Sequence, residues 1–350
     1  MQVAEILNWC VALLPVLVLV ALFMWLDAFK LMTLWETLAL LLAGGLAAIA
    51  AYPLSGIFLD TLPIGFSNYS RFVAPWIEEA LKSIVIVSLF RFNRIGFKID
   101  AVISGFAVGA GFAVAENIFY LWRFPEIAMS AWLVRGLGTA VMHGTTLALM
   151  AAIAHELAER ETRDAAASYD FNPLWFVPGF FIAVAIHTGF NQFPDQPMLA
   201  MLGTMLLAPV TLMALFRFGA TEAQNWLSVE RETHRADYET LKQGRFPDGE
   251  SGRRISELAA RLGGTAAGTV REYCEVLTGL VLAAEDALAR QAGDEQRVEI
   301  DARDGFDRLT RLERALGRTA FAALKPLLPF SRNDYWELSE LKERLAKPTS

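Results

Sequence analysis

The chain has 350 residues, 54% of them hydrophobic and 20% charged, with a mean hydropathy of +0.36; that excludes a single soluble domain of this size and marks a membrane protein. The net charge of −7 argues against nucleic acid as a partner, and neither half is basic enough for a polybasic lipid-binding arm. Up to Phe218 the chain carries 11 Lys and Arg and 15 Asp and Glu, against 20 and 23 in the 132 residues that follow, which predicts a membrane domain over 1–218 and a polar tail over 219–350.

Seven apolar stretches reach the length of about 20 residues that a helix needs to cross a bilayer. Their centres lie near Leu17, Leu42, Ile84, Gly111, Met142, Ala183 and Leu207. The first lacks a Lys/Arg-rich start and a small-x-small cleavage site, so it is expected to be a retained anchor. The runs lack the alternation of barrel strands, and lipid offers the backbone no outside partner, so the fold class is all-α and polytopic. With the N-terminus outside, the inner loops hold Lys30, Arg91, Arg94, Lys98, Arg160 and Arg163, and the outer loops only Arg71 and Arg123. That bias puts the tail in the cytoplasm. Trp25 and Trp122, near segment ends, suit an aromatic belt at the interface.

The tail alternates loop signals such as "QGRFPDGESG" with amphipathic runs. In "DRLTRLERALGRTAFAALKPLL", Leu309, Leu312, Leu316 and Phe321 recur at spacings of about 3 to 5 with arginines opposite. This predicts a small helical domain, or a helix lying on the membrane surface. Cys10 and Cys274 stand apart, so the redox compartment stays open. His155 and His234 read as surface residues.

Four of the apolar segments carry polar groups whose burial in lipid costs roughly 2.5 to 3.5 kcal/mol each, so each needs a partner or a task. The third holds Glu78, Glu79 and Lys82 in "WIEEALKS". The fourth, "GFAVAENIFY", holds Glu116 and Asn117; the fifth, "VMHGTTLALM", His143; the sixth, "AIHTGFNQF", His187 and Asn191. Because successive helices run in opposite directions, all of these fall in one half of the bilayer, which the charge bias makes the outer half. Glu78 precedes Lys82 at i,i+4, the favourable order for an ion pair, and Glu79 points about 100° away. Gly105, Gly109 and Gly111 allow the fourth helix to pack closely on its neighbours. Arg135, early in the fifth segment, is expected to snorkel to the interface or to pair with a cavity carboxylate.

The order E-E-x-x-K, then F-x-x-x-E from Phe112 to Glu116 with Asn117 following, a lone His143, then H-x-x-x-N from His187 to Asn191 resembles the PrsW family of intramembrane proteases, relatives of the CAAX prenyl endopeptidases and the Abi membrane proteins. The resemblance covers roughly Arg71 to Asn191. It implies cleavage of a single-pass membrane regulator, such as an anti-sigma factor, near its extracytoplasmic end, in a bacterial cytoplasmic membrane.

Peptide hydrolysis needs an activated water, stabilisation of the oxyanion and a proton for the leaving amine. Glu78 or Glu79 is the candidate general base, His187 and Asn191 are candidate oxyanion donors, and His143 would orient water or move a proton. A competing version sets Glu116, His143 and His187 around a zinc ion with one position open for water. No H-E-x-x-H spacing is present, and the metal-free version is preferred. Two further readings are an ion-coupled or small-solute transporter, whose relays use the same residue types, and a catalytically silent membrane scaffold. The tail would dock a cytoplasmic partner or regulate the enzyme.

Overall fold

A computed structural model describes residues 3–26, 32–162, 171–291 and 302–346, and among them every regular element is helical. They form two compact units, one of residues 1–158 and 171–220, the other of residues 159–170 and 221–350.

The first unit contains α1 (Val3–Leu26), α2 (Leu34–Thr61), a short α3 (Gly65–Phe72), α4 (Ala74–Arg91), α5 (Lys98–Arg123), α6 (Met129–Leu133), and, after a π-helical turn at Val134–Thr139, most of α7 (Ala140–Thr162). A 3-10 turn at Pro173–Trp175 leads into α8 (Phe176–Phe190), and α9 (Pro197–Lys242) begins here. The start of α2 shows how sequence sets a boundary. Thr33 and Glu36 form a reciprocal capping box in which the Thr33 N–H donates to Glu36 Oε2 at 2.7 Å and the Glu36 N–H donates to Thr33 Oγ1 at 3.3 Å, satisfying two orphan donors of the first turn.

At the centre is α5, buried almost continuously from Ile99 to Ala113. Such a helix carries no amphipathic stripe because every face meets protein. Its small residues are the reason neighbours come so near: a methyl group at Gly111 would collide with the Leu41 carbonyl of α2, and one at Gly109 with the His143 carbonyl of α7. The close packing expected of these glycines is therefore present. Large apolar side chains on α1, α2 and α9, among them Val18, Leu42, Ile49, Leu206 and Val210, stay exposed, as lipid-facing residues do. Trp25 and Trp122 are exposed too.

Among the described residues six helical stretches are long and apolar enough to cross a membrane: Glu5–Trp25, Leu34–Thr61, Lys98–Arg123, Met129–Glu161, Pro173–Phe190 and Pro197–Gly219. The expected seventh, centred on Ile84, forms as α4 but does not join them. Its 18 residues span only about 27 Å and include Glu78, Glu79, Lys82 and Arg91. What removes it from the apolar set is the polar cluster it carries.

The second unit is built from the C-terminal part of α9 with α10 (Glu250–Leu262), α11 (Gly264–Gln291), α12 (Ala302–Leu324) and α13 (Arg332–Ala346). Its core contains Leu241, Ile255, Val270, Leu277, Leu280, Val281, Leu324 and Phe330, with Leu312 buried in it and Leu309, Leu316 and Phe321 packed against it. The apolar stripe of α12 thus covers the unit's own core. Gly317, at φ +76°, breaks α12 in a conformation that favours glycine. His155 and His234 are not surface residues: each is at least 95% buried, with His155 Nε2 3.1 Å from the Gly96 carbonyl and His234 Nδ1 2.7 Å from Glu285.

Candidate active site

Four elements of the first unit bring the expected polar residues together. Glu79 and Lys82 lie one turn apart on α4, both with fully buried side chains, and Lys82 Nζ donates to Glu79 Oε1 at 2.6 Å. The same ammonium donates to His143 Nδ1 on α7 at 2.8 Å. An ammonium has no lone pair, so His143 Nδ1 is the acceptor and the neutral ring carries its hydrogen on Nε2, which faces Glu116 Oε2 of α5 at 3.4 Å. From α8, His187 Nδ1 lies 2.8 Å from Glu79 Oε1. The carboxylate can only accept, so this ring carries its hydrogen on Nδ1 and turns the lone pair of Nε2 toward Glu78, whose Oε2 is 3.8 Å away.

The ion pair on α4 is therefore not the expected one. Lys82 takes Glu79, three residues away, because the imidazoles of α7 and α8 lie on that face and complete a buried chain from His143 through Lys82 and Glu79 to His187, with Glu116 3.4 Å from His143 at its edge. Glu78 is left without a lysine. Among the described residues Glu79 Oε2 is buried with no hydrogen-bond partner.

Phe112 forms one wall. Lys82 Nζ sits 4.8 Å from its ring centre, and the His143 ring 5.1 Å away is itself 4.8 Å from the His187 ring. The cation over the ring face gains electrostatic stabilisation in a site without bulk water.

Arg135 is the member that the sequence left with two fates, and it takes the second. It sits in the π-helical turn, a distortion of the kind that recurs at functional sites. One guanidinium nitrogen is 3.1 Å from Glu116 Oε2, at ion-pair distance though off hydrogen-bond alignment. Nε donates to Asn117 Oδ1 at 2.9 Å, and the group lies 3.8 Å over the Tyr120 ring. Asn117 in turn donates to the Ala12 carbonyl of α1 at 2.9 Å, so its role is to hold Arg135 and anchor α1. Asn191 is not part of the chain of bonds: its amide donates to the Ser70 carbonyl of α3 at 2.9 Å, fastening the end of α8.

The side chains of Glu78, Glu116 and Arg135 keep 16%, 22% and 17% exposure, against 0 to 4% for Glu79, Lys82, His143 and His187. The first three form the accessible rim, and the other four the floor. Glu78, His143 and His187 each bring one ligand atom within 4.8 Å of the others. The carboxylate grouped with the two histidines is thus Glu78, where Glu116 was expected, because Arg135 holds Glu116.

A helical membrane protein with a buried Glu–Lys–His cluster at the meeting of four helices has the makings of a membrane-embedded hydrolase. The sequence model of the PrsW family intramembrane metalloproteases matches residues 32–216, more than half of the chain and all of the cluster, and the chain belongs to that family. No curated protein and no solved structure gives a match.

Proposed function

We propose that the chain hydrolyses a peptide bond of a membrane protein substrate at the cluster between α4, α5, α7 and α8, with Glu78 as the group that takes the proton of the attacking water. The observation that carries this reading is the pairing pattern. Glu79 is matched by Lys82 at 2.6 Å and Glu116 by Arg135 at 3.1 Å, which leaves Glu78 on the rim with no lysine or arginine at ion-pair distance among the described residues and with Nε2 of His187 3.8 Å away. An unengaged carboxylate at an accessible edge is where a general base belongs. Arg135, also on the rim, supplies fixed positive charge for a developing oxyanion. The buried chain Glu79–Lys82–His143 holds the floor in register.

The family description implies a metal, and the donor types fit one provided that Lys82 gives up its bond to His143 Nδ1. Two imidazoles and a carboxylate leaving a position open are a zinc hydrolase set, and Glu79 orients His187 from behind as metal-bound histidines require. Glu78, His143 and His187 would hold the ion, with Glu78 then serving as a ligand and not as the free base. When bound, it would lower the pKa of a coordinated water and polarise the scissile carbonyl. One observation favours a second, metal-free reading: Lys82 donates to His143 Nδ1, which leaves the hydrogen on Nε2 and takes away the lone pair a metal would use.

The resemblance and the loop charges extend the proposal to a multi-pass protein of a bacterial cytoplasmic membrane. Its N-terminus and catalytic half would face outward, its tail would be cytoplasmic and free to dock a partner, and its substrate would be a single-pass regulator of the anti-sigma-factor kind. The test is cleavage of co-expressed single-pass substrates by the wild type and by Glu78→Gln, Glu79→Gln and His187→Ala, each with and without chelator and with elemental analysis of the purified protein. Loss of cleavage in Glu78→Gln with retained folding is the expected result. Equal cleavage by all four proteins would overturn the assignment, and chelator sensitivity with stoichiometric metal would decide for the metal form.

A further inference from the structure

A second cluster of ionisable groups lies in the second unit, separate from the residues used above. Glu285 projects from α11, and Asp334 and Glu337, one turn apart, project from α13; all three are 0 to 1% exposed. One ligand oxygen from each lies within 4.8 Å of the others. Three carboxylates buried so close together repel one another and lose hydration, a cost of several kcal/mol per charge unless something positive compensates.

The protein compensates only part of it. Glu285 Oε1 accepts from His234 Nδ1 at 2.7 Å, and Asp334 Oδ2 accepts from the Ser331 N–H. Among the described residues Glu285 Oε2, Asp334 Oδ1 and both oxygens of Glu337 are buried with no hydrogen-bond partner. Two nearby arginines have partners outside the cluster, Arg231 3.9 Å from Asp286 and Arg332 2.9 Å from Glu159, while His234, besides its bond to Glu285, reaches Asp334 Oδ1 only at 4.0 Å. Glu337 has neither a hydrogen bond nor an ion pair among the described residues. Two of the three carboxylates are thus oriented through one oxygen by a protein donor and leave the other open, and Glu337 leaves both open. That division, one oxygen fixed from behind and one free in front, is how ligating carboxylates are held.

We propose that Glu285, Asp334 and Glu337 bind one hard divalent cation, of the magnesium or manganese class. The free donors are all oxygens, which suits these ions over zinc or copper, and the imidazole of His234 is committed through Nδ1 to Glu285. The cation joins α11 to α13 within the second unit. This inference does not depend on the proposed proteolysis.

The experiment uses the full chain in detergent, stripped of metal and titrated with Mn²⁺ while bound ion is followed by electron paramagnetic resonance and thermal stability is read in parallel. The variants are Glu337→Gln, Asp334→Asn and, to separate any ion bound in the membrane unit, Glu78→Gln. One bound Mn²⁺ should survive in Glu78→Gln and weaken by roughly 100-fold or more in Glu337→Gln, since loss of supporting groups alone costs 10- to 100-fold. Mn²⁺ and Mg²⁺ should raise the melting temperature of the wild type and leave that of Glu337→Gln unchanged. Glutamine keeps the shape and removes a buried charge, so the metal-free variant should melt no lower than the metal-free wild type; if it fails to fold, Asp334→Asn gives the same reading. Absence of Mn²⁺ binding at millimolar concentration, or binding untouched by both substitutions in the second unit, would overturn the proposal.

Discussion

Replacing Lys82 with methionine tests the electrostatics of the buried floor directly. Methionine matches the length of the stem and keeps its packing against Phe112, so the change is chiefly the loss of a charge. At the 2.6 Å separation of Lys82 Nζ and Glu79 Oε1, the direct attraction at an effective dielectric of about 20 is about 6 kcal/mol. Part returns, because His187 already donates to the same oxygen and can take up a proton. The expected net loss is about 3–5 kcal/mol, the range for removing one partner of a buried pair. The double variant Glu79→Gln with Lys82→Met leaves no bare charge and should recover most of that loss while staying inactive. Denaturant or thermal unfolding of the purified protein in detergent, run as a double-mutant cycle, measures both. If Lys82→Met unfolds within about 0.5 kcal/mol of the wild type, or if the two substitutions simply add, the described pair is not the one that holds the floor.

Two further outcomes follow from packing and burial. Gly109→Ala places a methyl group against the His143 carbonyl, which should cost about 1–3 kcal/mol or more and reduce cleavage by displacing His143. Gly203→Ala on α9, where nothing lies within 4 Å, should change stability by less than about 1 kcal/mol, and equal effects at both positions would refute the close approach of α5 and α7. Burial pushes the Cys274 thiol up to about 12, so at pH 8 about one thiol in ten thousand is a thiolate. In a Cys10→Ser background, maleimide labelling of Cys274 should therefore wait for unfolding, and rapid labelling of the folded protein would show that the core of the second unit is open.

The legible parts of the structure were those written as local periodicity. Long apolar runs became helices, the glycines of α5 marked its close neighbours, and the stripe from Leu309 to Phe321 found a core. What escaped was decided by partners distant in sequence. His234 looks like a surface residue in its polar surroundings, yet its partner Glu285 is 51 residues on. Asp334 and Glu337 sit on a helix crowded with charged side chains and give no sign that both are buried. The fate of Arg135 depended on a π-helical turn that no spacing rule announces. Asn191 shares a turn with His187, but the carbonyl of Ser70, at the end of α3, claims its amide.

The exchange of roles between Glu78 and Glu79 shows why local rules reach only so far here. On an exposed helix, i,i+4 and i,i+3 pairs differ by a few tenths of a kcal/mol, and orientation on the helix decides between them. In a packed interior the decision passes to whichever face meets other polar groups, because an uncompensated charge there costs several kcal/mol. Two imidazoles from α7 and α8 lie on the Glu79 face, so Lys82 turns to it and the carboxylate predicted to be paired becomes the free one. Three buried or rim carboxylates face two fixed cations, and the pairing distances say which is left over. Either a metal held with His143 and His187 or a proton drawn from water would balance Glu78.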